Sequence, residues 1–174
     1  MHSIRIDRTK RLGDEPARGH NRYHPDIAPI VEVGEGEEVA LETRDALDGQ
    51  ITPNSTVADF VQLNAGVVHP LTGPVYVKGA EPGDLLEIEY LDIAAEPAAF
   101  SMILPGLGFL RDLMTTPFLV HWAIKDGWAT SAEIRGCAFL ARPSWAFLPS
   151  LPRRRSSRPG PSASSARSTA AGWC

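Results

Sequence analysis

The densest run of side chains able to do chemistry is Glu42-Thr43-Arg44-Asp45-Ala46-Leu47-Asp48-Gly49-Gln50. Asp45 and Asp48 stand three apart across a bend. At that spacing two carboxylates can reach one metal ion, or divide acid and base work on a bound water. Asp-Gly is equally an ordinary turn dipeptide, and that reading stays open beside the chemical one. His69 follows Val67-Val68 and precedes Pro70. Its neutral imidazole is a candidate metal ligand, although a histidine beside apolar residues is more commonly a satisfied core residue. His20 and His24 share an i, i+4 spacing that would matter on a helix, but Pro25 and Pro29 argue for a loop there. Gly106-Leu107-Gly108 lacks the third glycine and the strand–helix setting of a phosphate loop. No Gly-x-Ser-x-Gly elbow occurs.

The elements that must position these residues read as β. Ile30–Val33 is a short apolar run closed by Gly34-Glu35-Gly36, after which Val39, Leu41 and Thr43 alternate with Ala40, Glu42 and Arg44. That period of two belongs to a half-buried strand. A second unit repeats the design, with Val75–Val77, a Gly-rich turn over 78–84, and the run Leu85–Ile93. The pattern predicts two similar β-hairpins. Ser55–Val61 predicts one or two capped helical turns, the main helix signal in the body. Fifteen glycines and fifteen prolines cut the chain into short segments, which suits a β-sandwich or barrel better than a βαβ fold.

Composition sets the outer bounds. The 174 residues are 43% hydrophobic and 22% charged, the profile of one globular domain. Glu133 is the last acidic residue, and seven arginines with no lysine follow it. Residues 1–134 thus carry ten basic against 21 acidic residues, and an acidic body argues against nucleic acid as a partner. Cys137 and Cys174 have no metal or redox spacing. There is no signal-peptide run at the N-terminus and no apolar stretch approaching the ~20 residues of a membrane span. The expected location is cytoplasmic, with no membrane partner.

Five motifs in order and spacing resemble the acetamidase/formamidase family from about residue 18 to Ile134. They are His20–Ile27, Leu41–Ile51, His69–Val77, Gly79–Leu86 and Pro105–Asp112. The resemblance implies a mainly-β, metal-associated amidohydrolase that splits short-chain amides such as formamide and acetamide into ammonia and a carboxylate. It also implies a homo-oligomer and a divalent metal, zinc or calcium. On this resemblance Asp45 and His69 are the candidate metal ligands, Asp48 the candidate general base, and Glu42 the residue that orients it.

The pattern changes at residue 135, which divides the chain into a family-like part, 1–134, and a tail, 135–174. The tail has no strand or helix period, and its last twenty residues are mostly Ser, Arg, Ala, Pro and Gly. The family resemblance calls for Pro-Gly-Val-Arg-Val-Pro-Gly-Ala-Pro-Phe-Met-Gly-Val after Ile134. Restoring one C to the codon after Ile134, in a GC-rich coding sequence, converts Arg135–Phe147 into that string. The tail is therefore expected to be an out-of-frame, disordered reading, and the chain a truncated member without detectable amidase activity of its own. The alternative is a non-catalytic β-rich binding module whose Arg153-Arg154-Arg155 docks on an acidic partner.

Overall fold

The computed structural model describes residues 1–143 and the backbone of residues 166–173. Its strands are β1 (His2–Ile4), β2 (Gly19–His20), β3 (Val31–Val33), β4 (Glu38–Leu41), β5 (Leu71–Thr72), β6 (Val75–Val77) and β7 (Leu86–Glu89). They continue with β8 (Ile93–Ala94), β9 (Ala98–Ile103), β10 (Phe118–Lys125), β11 (Trp128–Thr130), β12 (Ala138–Leu140) and β13 (Ala166–Trp173). Three short 3-10 turns are the helical elements among the described residues. The mainly-β expectation holds.

A five-stranded sheet runs β1-β4-β13-β7, with β8 also on β13, and all its pairings are parallel. A four-stranded antiparallel sheet runs β12-β11-β10-β9. Two small pairs complete the fold, β2 antiparallel to β5 and β3 parallel to β6.

The two expected hairpins are not hairpins. β3 and β4 do not pair with each other across Gly34–Gly36. Instead β3 pairs in parallel with β6, through Val31↔Val75 and Val33↔Val77, while β4 and β7 both flank β13. The two similar units therefore lie side by side, and each Gly-rich turn carries the chain from one sheet to another. Both strands bury their apolar side chains against distant partners: Val33 is covered in the β3/β6 pair and Val39 in the sheet between β1 and β13.

Acidic side chains close the turns. The carboxylates of Asp14, Glu37, Asp59 and Asp84 accept from the backbone amides of Arg11, Gly34, Thr56 and Glu81, each three residues earlier, at 3.1, 2.6, 2.7 and 2.7 Å. The Gly34 amide, and then His2, hold the Glu37 carboxyl below its ordinary range. Part of the acidic excess of the body is thus used in capping. At Thr56–Asp59 this box opens the 3-10 turn Val57–Gln62, where the sequence places a capped turn.

Two parts of the tail pair with the body. Ala138–Leu140 forms the edge strand β12 on β11, and residues 166–173 run between β4 and β7. Backbone hydrogen bonding needs no side-chain period, which is why sequence patterning gave no sign of either. Tail residues 144–165 and 174, Arg153–Arg155 among them, lie outside the described residues.

Candidate functional site

The acidic turn sits directly on the core. Leu47 and Ile51, on either side of Asp48, pack with Leu119 of β10, and Phe60, Leu63, Val68, Phe100 and Met102 surround them. Apolar anchors thereby fix a polar turn at the wall of a broad open cavity of 3010 Å³. Asp45, Asp48 and His69 line that cavity, and Glu42 does not.

Each predicted residue has a definite set of partners. Asp45 folds back on its own turn, its two oxygens accepting from the amides of Leu47 (2.8 Å) and Gly49 (2.6 Å). Asp48 is buried, with φ +57°, a left-handed conformation that aspartate tolerates better than most residues. Both of its oxygens lie 3.0 Å from the Leu12 amide, and Arg44 Nε lies 3.8 Å away. Arg44 also donates to Glu15 at 2.5 Å and to the Lys10 carbonyl, so Asp48 belongs to a buried polar network that ties residues 10–15 to the turn. Glu42 accepts from the Ile6 amide at 3.0 Å, and its own amide donates to Ile4 O, extending the β1/β4 ladder. His69 is exposed at φ +56°, and its amide donates to Ala46 O at 2.7 Å. That bond places His69 beside the Asp45 turn.

The structure thus brings Asp45, Asp48 and His69 to one wall and leaves Glu42 behind it. Among the described residues no three His, Cys, Asp or Glu side chains are grouped so as to hold a metal ion. The residues nominated for a metal do not form a complete ligand set here.

One further cluster on the same wall went unread in the sequence. His121 of β10 sets Nδ1 3.0 Å from Glu133 Oε1 and Nε2 3.1 Å from the Thr52 carbonyl. Both partners are acceptors, so satisfying both contacts takes an N–H on each ring nitrogen. Ser131 Oγ donates to Glu133 Oε2 at 2.6 Å. The signal was available: Asp126-Gly127 is a strong hairpin dipeptide, with φ +51° and +78°. Once β10 and β11 are paired about it, with Ala123↔Thr130, counting outward brings position 121 close to 132 and 133.

The Ser131 hydroxyl, then His121 and the backbone amide of Glu133 itself, hold the Glu133 carboxyl at about 2, well below the ordinary 4.5. The folded-state pKa lies below the unfolded one, so the associated stability is complete above about pH 4.5 and is lost as pH falls towards 2. Carbon-detected NMR of Glu133 is expected to show a midpoint near 2, and Glu133→Gln to flatten the pH dependence of stability within that window. A midpoint near 4.5 would contradict the hydrogen-bonded arrangement.

No helix among the described residues is long and apolar enough to cross a membrane. The acetamidase/formamidase family model matches residues 5–156. An acetamidase of Mycolicibacterium smegmatis is 33% identical over 147 residues, covering 77% of this chain and 36% of that protein. A formamidase of Methylophilus methylotrophus is 38% identical over 137 residues, covering 75% of this chain and 34% of that one. Among solved structures, the gamma lactamase from Delftia acidovorans superposes with a TM-score of 0.71 at 33% identity, covering 80% of this chain and 36% of the other. The acetamidase of Bacillus halodurans gives 0.64 at 29% identity, covering 71% of this chain and 40% of the other. The chain spans about a third of the length of the curated relatives it matches. A family match across most of the sequence, joined to the same strand framework in solved relatives, establishes that this chain belongs to the acetamidase/formamidase family.

Proposed function

We propose that this chain forms one wall of an amide-hydrolysing site, acting on short linear amides such as formamide or acetamide to give ammonia and a carboxylate. The observation that carries the reading is the cavity wall itself. The Asp45–Asp48 turn, His69 and the His121–Glu133 pair all line the same cavity, in a chain a third identical to a protein named acetamidase.

The residues divide into those that hold and those that face the cavity. Asp48 and Arg44 hold the turn in place, and Asp45 fixes its bend. His69 has no side-chain hydrogen bond among the described residues, which leaves its ring available to a bound water or amide. The His121–Glu133 pair is a further polar group lining the cavity, its orientation set by Ser131 and Thr52. A divalent metal, where a complete set of ligands exists, polarises the amide carbonyl and acidifies a bound water. Here Asp45 and His69 offer at most part of such a set, and no step is assigned to a metal.

This chain alone is expected to bind amide without turning it over, within a cytoplasmic, homo-oligomeric setting. A titration with acetamide followed by NMR tests binding and hydrolysis together. Saturable shifts of the His69 and His121 ring signals support the reading, and unchanged spectra overturn it.

A further inference from the structure

We propose that Arg22 anchors a carboxylate-binding subsite on the cavity wall, the place where the acid product of the amide reaction rests. This rests on the amidase reading for the identity of the acid, and on charge for the site itself.

Four cationic side chains line the cavity: Arg8, Lys10, Arg22 and Arg44. Three face carboxylates. Arg8 pairs with Glu96, Lys10 with Asp7 at 3.4 Å, and Arg44 with Glu15 at 2.5 Å. Arg22 differs, because its guanidinium is held by backbone carbonyls, Nη1 donating to Asn21 O at 2.7 Å and Nη2 to Gly66 O at 3.0 Å. Carbonyl oxygens fix orientation and leave the positive charge without a counter-charge. Among the described residues no carboxylate is within ion-pair reach of Arg22. Two of its five N–H donors are used, and the others retain the planar geometry that matches a carboxylate.

The mounting is rigid for an exposed side chain. Gly66 O also accepts from Asn21 Nδ2 at 2.8 Å, the Gly66 amide donates to Asn64 Oδ1 at 2.8 Å, and the Asn64 amide donates to Gln50 Oε1 at 2.7 Å. Gln50 follows the acidic turn directly, so one chain of hydrogen bonds links Arg22 to the turn. The antiparallel β2/β5 pair, with His20↔Leu71, carries Arg22 and His69 out at the same end, each two residues beyond that match. A neutral amide gains little from such a cation. The carboxylate left after hydrolysis gains a charge-assisted contact.

Acetate serves as the probe, titrated into the full 174-residue chain and followed by NMR, with acetamide in a parallel arm. Saturable shifts of the Arg22 Nε–H and Asn21 side-chain amide signals are expected. Arg22→Gln should weaken acetate binding about tenfold, Arg22→Lys should fall between, and Arg111→Gln should leave binding unchanged. Unaltered signal dispersion in Arg22→Gln shows that the fold persists. Acetate bound equally well by Arg22→Gln, or not bound at all by the native chain, overturns the proposal. Acetamide binding without acetate binding removes the subsite and leaves the amidase reading standing. Arg22-dependent acetate binding without acetamide binding does the reverse.

Discussion

Asp48→Ala is expected to lower the stability of the chain by about 3 kcal/mol, read as a drop in the urea midpoint. Three losses combine. The Leu12 amide gives up both carboxylate contacts at 3.0 Å, and an amide left without a partner costs ~1–3 kcal/mol. Arg44, whose side chain is only 7% exposed, gives up one of its two carboxylate neighbours. Alanine also occupies φ +57° less readily than aspartate, at ~1 kcal/mol. Asp48→Asn separates these causes, because it tolerates the same backbone and still accepts from Leu12. It should cost about 1 kcal/mol. A change below about 0.5 kcal/mol in Asp48→Ala would place the residue outside any network that matters to folding.

Leu119→Ala is expected to cost a similar amount, about 3 kcal/mol, for an unrelated reason. Leu119 is 6% exposed and meets Leu47 and Ile51, the residues that seat the acidic turn. Truncation leaves a cavity between β10 and the turn, so the loss should appear twice: in the urea midpoint, and in faster amide hydrogen exchange over residues 45–51. A loss of stability with unchanged exchange there would mean that the turn does not depend on the core beneath it.

What the sequence disclosed was local. The capped turn at Thr56–Asp59 and the strand at 75–77 are present, whereas the run from Val39 is strand only as far as Leu41 and the run 85–93 is split into β7 and β8. Pairing was not legible, because parallel partners such as β3 and β6 are separated by more than forty residues and share no turn. The same limit applies to the site. The Asp45–Asp48 turn was visible as a cluster, but nothing local could show that Asp45 caps its own turn while Asp48 reaches back to Leu12. Glu42 stood in the same run, yet strand geometry turns it towards Ile6 and away from the cavity. Arg22 was unremarkable in sequence, since what sets it apart is the carbonyl company it keeps.

The most direct test of the central claim is a titration of the purified chain with isotope-labelled acetamide, watched by NMR for protein shifts and for the appearance of labelled acetate. Saturable shifts at His69 and His121 with no acetate formed are the expected result. An absence of shifts at those residues would contradict the amide-binding wall. Acetate accumulating with time would contradict binding without turnover.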